Sequence, residues 1–326
     1  MTSYSESKSS TEIADEVDLK VFDTTGYLLE NGFTVLVKAF GLGLLAMMLF
    51  MILVITLRAL PAIQSFGPKF ITDPEWNVGT DEFGAATYIY GTILSSAIAI
   101  IMAAPVGIAV ALTTSENFIP KSVRMPVAYT VELIAAIPSV IIGLWGIFTF
   151  VPAIKPFQDW LHNNFSWFPL FGTESSGFNI MTAGVLLAIM ILPTVASISR
   201  DVLISVPPEY RTASMALGAT RWESITRVIL PAAAPGILGA TMLALGRALG
   251  ETMAVTMVIG NAENISPSIF APAYSIPAIL ANTFAEAQED IHVGALTYLV
   301  LILFAITLFV NIGAIGLVRL VERGEK

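Results

Sequence analysis

The chain has 326 residues, of which 55% are hydrophobic and only 13% charged, with a mean hydropathy of +0.77; a soluble domain carries about 25% charged residues. There is no cysteine, which excludes disulfides, thiol catalysis and cysteine-held metal, and the two histidines, His162 and His292, are too far apart in sequence to suggest a zinc site. A formal charge of −9 argues against nucleic acid, whose phosphates need a basic surface.

In chain order, residues 1–30 gather Glu6, Glu12, Asp15, Glu16, Asp18 and Asp23 among Ser and Thr, and read as a solvated or disordered arm. No basic start, early apolar stretch or small-residue cleavage site marks a signal peptide there. A helix crosses roughly 30 Å of hydrocarbon with about twenty apolar residues. Such runs occur at 34–57, 88–113, 126–152, 179–199, 228–260 and 294–318, so the expectation is an all-α protein of about six transmembrane helices. The fifth run is long, and a kink is expected at Pro231 and Pro235. Pro105, Pro138, Pro193 and Pro231 recur near the middle or ends of runs. They are read either as bends around an alternately opening cavity or as prolines that a membrane bundle tolerates.

Lys and Arg set the orientation. The side holding both termini collects 12 of them, the other side only Arg58, Lys69 and Lys155, and Arg247 lies inside a run. Both termini are therefore expected in the cytoplasm. The outer segments are 58–87, 153–178 and 261–293, and Trp76, Trp160 and Trp167 in the first two of them suit the membrane interface.

Two stretches carry candidate chemistry. Between the fourth and fifth runs, Pro207-Pro208 starts a short helix, Glu209 sits in its first turn, Ala213, Ala216 and Leu217 share one face, and Gly218 stops it. A second short helix follows from about Arg221 to Pro231. A capped helix with a small-residue face suits docking into a groove on another protein, or else packs on its own bundle. In the fifth run, Arg247 and Glu251 are four residues apart, so they share a helix face and can pair. Charges inside a membrane face the bundle or a wet cavity. The pair is therefore read as part of an anion path, with the guanidinium fork matching phosphate oxygens, or as a structural bridge. Gly246 and Gly250 permit close helix approach. Glu132, in the third run, either answers Arg247 across the bundle or lies near the cytoplasmic surface.

The first of these stretches resembles the cytoplasmic loop of inner-membrane permeases of ABC importers, which reads Glu-Ala-Ala, three residues, Gly, nine residues, Ile-x-Leu-Pro. Here Thr212-Ala213-Ser214, Gly218 and Val228-Ile229-Leu230-Pro231 occupy the matching positions, with Thr212, Ser214 and Val228 as departures. The stretches Glu132 to Gly146, Ala188 to Pro193, Leu217 to Glu223 and Gly246 to Asn261 resemble phosphate-specific ABC permeases of the PstC type, over roughly residue 88 to the C-terminus. The resemblance implies a type I importer (MetI-like) permease core. The division is then an arm (1–30), a first helix and external loop (31–87), the core (88–318) with its coupling segment (207–231), and a tail (319–326). Glu209, Thr212, Ala213, Ser214 and Gly218 are the expected ATPase-coupling residues, and Arg247, Glu251 and Glu132 the expected translocation residues.

The resemblance further implies inorganic phosphate as cargo, a second homologous permease, a cytoplasmic ATPase dimer and an external phosphate-binding protein, in an inner cell membrane. The chain lacks a Gly-x-x-x-x-Gly-Lys-Ser/Thr loop, so no catalytic residue, metal or cofactor is expected in it, and ATP is expected on a partner. Permeases for sulfate or phosphonate are the near alternative. A stand-alone ion-coupled carrier using Arg247 and Glu251 as a proton relay is the distant one, and a purely structural membrane subunit is a third reading.

Overall fold

The computed structural model describes residues 10–116 and 120–324. It divides into two units, Met1–Leu57 and Arg58–Lys326. Among the described residues, six helices are long and apolar enough to cross a membrane: 31–66, 86–115, 139–165, 180–205, 221–249 and 290–316.

Helix α1 (Ser10–Phe66) begins inside the stretch expected to be an arm; residues 1–9 of that arm lie outside the described residues. From 31 to 57 nearly every side chain is exposed, including Phe33, Phe40 and Phe50, and Lys38 is the one charged residue of that stretch.

In the second unit, α2 (Lys69–Thr72) and a short hairpin, β1 (Trp76–Asn77) and β2 (Glu82–Phe83), precede α3 (Ala86–Ser115). Phe70 stacks on Tyr298 at 4.5 Å, while Trp76 meets Phe83 edge-on at 4.8 Å and Tyr88 at 5.2 Å. Trp76, expected at the lipid interface, is instead half-buried in this aromatic cluster, whereas Trp160 and Trp167 are exposed.

The third run splits, which corrects the expected span 126–152. Helix α4 (Lys121–Ala135) contains no buried residue and carries Lys121, Arg124 and Glu132. It ends before Pro138, whose ring disfavours helical backbone at the preceding residue and whose own ψ is 139°. The span starts after that break, with α5 (Ser139–Trp145), a π-helical turn (Gly146–Phe150) and α6 (Val151–Phe165). Gly143 lets α5 approach its neighbour closely: a Cβ there would lie 2.5 Å from Met257 Sδ and 3.2 Å from Ala254 Cα.

Helix α7 (Ile180–Ser205) is the centre of the unit, with 67% of its most apolar stretch buried. Pro105 and Pro193 lie inside unbroken α3 and α7. Then come α8 (Pro208–Ala216), α9 (Arg221–Ser224), a π-helical turn (Ile225–Ile229) and α10 (Leu230–Leu249). Pro231 directly follows the π-helical turn within the continuous span 221–249, and Pro235 lies inside α10. Past α10 the fifth run breaks at Gly250–Thr252 and resumes as α11 (Met253–Val258), so the span is 221–249 and not 228–260. Helices α12 (Ile276–Thr283) and α13 (Asp290–Gly324) complete the chain.

The main core joins α3, α7, α10 and α11 through residues such as Ala99, Leu187, Ile191, Ala244 and Val255. A smaller cluster of Ala111, Leu203, Val206, Ile229, Ala233 and Ile237 closes the end of the bundle nearest α8.

Candidate functional site

The break after Leu249 rearranges the expected ion pair. Gly250 caps α10 with φ −95° and ψ −2°, so Arg247 and Glu251 no longer share a continuous helix face. No ion pair joins them among the described residues. Glu251 turns toward the start of α11, where its Oε1 accepts from the backbone N–H of Ala254 at 3.5 Å. A carboxylate is favoured there, because the first amides of a helix lack internal partners. Arg247 instead donates from Nη1 to Thr194 Oγ1 at 3.4 Å, and its side chain is exposed. Thr194 is about midway along α7, which places the guanidinium at middle depth in the bundle. Nothing among the described residues lies within 4 Å of the place where a Gly246 side chain would begin, so its close-approach face is open in this chain.

Glu132 does not answer Arg247. It borders a cleft of about 20 Å³ with Thr114, Ser197 and Arg200, large enough for roughly one water. Arg200 is six residues beyond Thr194, about 9 Å further along α7. Arg200 Nε is buried without a hydrogen-bond partner among the described residues.

The coupling segment forms as expected at its ends. Gly218 adopts φ +91°, a conformation open to glycine, and its N–H reaches Met215 O at 3.0 Å while Ala219 N–H reaches Ser214 O at 3.1 Å. Thr220 and Glu223 cap α9 reciprocally, through Glu223 N–H to Thr220 Oγ1 and Thr220 N–H to Glu223 Oε2. Glu209, Thr212, Ala213, Ala216 and Leu217 are exposed. Ser214 departs from the expectation of a contact surface. It is buried and bonded to Ser224 Oγ at 2.6 Å, because it lies three positions after Arg211, on the inward face of α8. Leu217, which the sequence already places on the face with Ala213 and Ala216, is 90% exposed; sequence reasoning passed over Arg211, whose carboxylate partner is 95 residues away and leaves no local pattern.

Comparison with known proteins bears on this arrangement. Residues 103–326 match the family model described as binding-protein-dependent transport system inner membrane component. The chain belongs to that family. Among curated members, the phosphate transport system permease protein PstC of Mesorhizobium japonicum is 45% identical over 254 residues, covering 76% of this chain and 77% of that one. A probable protein of the same name from Methanocaldococcus jannaschii is 36% identical, covering 78% and 82%. Among solved structures, the MetNI methionine ABC transporter aligns with a TM-score of 0.51 at 20% identity, covering 73% of this chain and 94% of that one. A bacterial importer of alginate aligns with a TM-score of 0.51 at 21% identity, covering 70% and 78%. These last two speak to fold alone. The inner membrane component described here is thus a multi-pass, all-α membrane protein with a MetI-like permease core.

Proposed function

We propose that this chain is the permease subunit of an ATP-driven phosphate importer and lines the anion path together with a second permease. The observation that carries the path is Arg247, a guanidinium at middle bundle depth whose side chain is exposed and, among the described residues, hydrogen-bonds only a threonine hydroxyl. A charge there is unfavourable against lipid by about 2.5–3.5 kcal/mol, so it faces a partner or a wet cavity. Its planar fork suits an oxyanion. The names of the relatives supply phosphate as the cargo. Glu251 places a negative charge beside the path without neutralising Arg247, which keeps the anion from being trapped. Glu132, with Arg200, belongs to the end of the path nearest α8.

The exposed face of α8, with Glu209, Thr212, Ala213 and Leu217, docks a separate ATPase, while Ser214 and Gly218 hold that face in shape. ATP is bound there and not by this chain, which is no enzyme. An external phosphate-binding protein delivers the cargo. The family's name in terms of a binding protein supports this. Both termini lie in the cytoplasm, as the distribution of Lys and Arg indicates.

The test is reconstitution in liposomes. Uptake of labelled phosphate requires ATP inside, the receptor outside and both permeases, and Arg247→Gln abolishes it in a complex that still assembles. Arg247→Lys retains partial uptake if the charge suffices and none if the fork is needed. Uptake by this chain alone, without ATP, would establish an ion-coupled carrier instead, and preferential uptake of sulfate would reassign the cargo.

A further inference from the structure

Helix α8 is attached to the bundle in two different ways. Toward the C-terminus the attachment is continuous: α8 turns at Gly218, the Ser214–Ser224 bond at 2.6 Å clamps it to α9, and α9 runs through the π-helical turn into α10. Toward the N-terminus the chain is extended over Val206 (ψ 124°) and Pro207 (ψ 135°), so no helical hydrogen bonds carry the direction of α7 into α8.

Arg211 spans that gap. Its Nη2 donates to Glu116 Oε1 at 2.7 Å and to Leu203 O at 3.0 Å, its Nη1 to Val206 O at 2.9 Å, and its Nε to the same Glu116 oxygen at 3.2 Å. Leu203 O is one of the last-turn carbonyls of α7, which have no partner inside the helix, and Val206 is its C-cap. Glu116 follows α3 directly and caps it through its own N–H to Leu112 O at 3.0 Å. A single side chain of α8 therefore grips the ends of both α3 and α7, the pair at the centre of the bundle. Arg211 and Glu116 side chains are only 24% and 13% exposed, so solvent does not wash the contact out as it does on an open surface.

We propose that Arg211 is a positioning residue that passes movement of α8 to α3 and α7, as the helical connection passes it to α10. The proposal rests on the reading of α8 as the ATPase-docking helix. Without Arg211, a docked ATPase still pulls on α10 but no longer carries α3 and α7 with it, so ATP is spent without delivery. The fork contributes beyond the charge, since one ammonium cannot hold the carboxylate and both carbonyls in a fixed plane.

The readout is ATP hydrolysed per phosphate delivered by the complete reconstituted importer, with both permeases, ATPase and receptor. This ratio is insensitive to how much complex survives purification. Arg211→Ala and Glu116→Gln each raise it, by about fivefold or more for Arg211→Ala, the lower range of coupling energies. Arg211→Lys falls between. In all three the ATPase still copurifies. Should Arg211→Ala fail to assemble, Arg211→Lys and Glu116→Gln carry the test. An unchanged ratio in Arg211→Ala, with only a lower melting temperature, overturns the proposal, and so do unchanged ratios in both Arg211→Lys and Glu116→Gln where Arg211→Ala does not assemble. A raised ratio for Arg211→Ala with an unchanged ratio for Glu116→Gln overturns the link to α3. Leu217→Asp tests the docking reading separately: it should release the ATPase, and retention of a coupled ATPase by that variant sinks the docking reading whatever Arg211 does.

Discussion

The two ends of the bundle use the same kind of side chain in opposite ways. At the hairpin end, Phe70, Phe83 and Tyr88 are buried in one cluster, bridged by Phe66 and Trp76, and Phe83 stacks on His292 at 5.4 Å. At the coupling end, Tyr210 is 51%, Trp222 62% and Leu217 90% exposed. Aromatic and large apolar residues contribute most when desolvated. The hairpin end has desolvated its own and stabilises this chain. The coupling end leaves much of its own surface exposed, where a second protein covering it would add stability. Composition cannot distinguish the two ends; only the pairing of elements does.

That contrast can be broken first where it is largest. Phe70→Ala should cost about 3–5 kcal/mol, because the ring is 1% exposed and its loss leaves a cavity beside Tyr298. Thermal unfolding in detergent reads this, and ATPase binding by the surviving folded protein should be normal. If Phe70→Ala is as stable as the parent, the hairpin end is not a core. At the coupling end, Gly218→Val should strain the φ +91° backbone by about 1–2 kcal/mol while meeting no neighbour, since there is open space around its Cβ position. The cost falls on the helix end, so coupling is lost with global melting nearly unchanged, and Gly218→Asn should recover much of it. Full transport by a well-expressed Gly218→Val would show that the shape of this turn is unimportant.

A smaller effect sharpens the account of Ser214. Ser214→Ala leaves the buried Ser224 hydroxyl unpaired and should cost about 1 kcal/mol, and adding Ser224→Ala should restore part of it. Additive losses in the double variant, measured by denaturant unfolding, would argue against a bond between them. Smallest is a pH effect at the hairpin end. The hydrogen bond from Lys69, at 3.0 Å, holds the Asp73 carboxyl below its usual value of 3.8, with the N–H of Glu75 adding to it. A depressed carboxylate contributes stability that is complete above that usual value and lost as pH falls through the folded one. Lys69 is 83% exposed, so water screens the pair; acidification from pH 6 to pH 3 should lower the melting temperature only slightly through it, and Asp73→Asn should flatten that small slope.

Much of the architecture was legible because lipid demands long apolar runs, and five of the six spans fall where those runs lie, though α10 stops short of the fifth run's end. The third was misplaced because hydropathy alone does not weigh Pro138, which separates the polar-faced α4 from the span. The Arg247–Glu251 pairing failed for a related reason. Spacing of four implies one face only in an unbroken helix, and Gly250 sits between them. Gly218 was legible because a helix stop is local chemistry. Arg211 and Glu116 were not, because tertiary folding alone brings them together.

The interruption at Gly250–Thr252 has a consequence for how the membrane part breathes. A backbone that leaves the helical ladder at bilayer depth cannot remain in contact with lipid, since each unsatisfied group there costs several kcal/mol. Glu251 N–H pairs with Ala248 O at 3.3 Å and Thr252 Oγ1 with Gly250 O at 3.2 Å, while Gly250 itself is exposed, so the path proposed above is what would bring water to it. Amide hydrogens on either side of Gly250 should therefore exchange with deuterium far sooner than those in the middle of α7, so that a wet seam runs through a protein that hydropathy describes as dry.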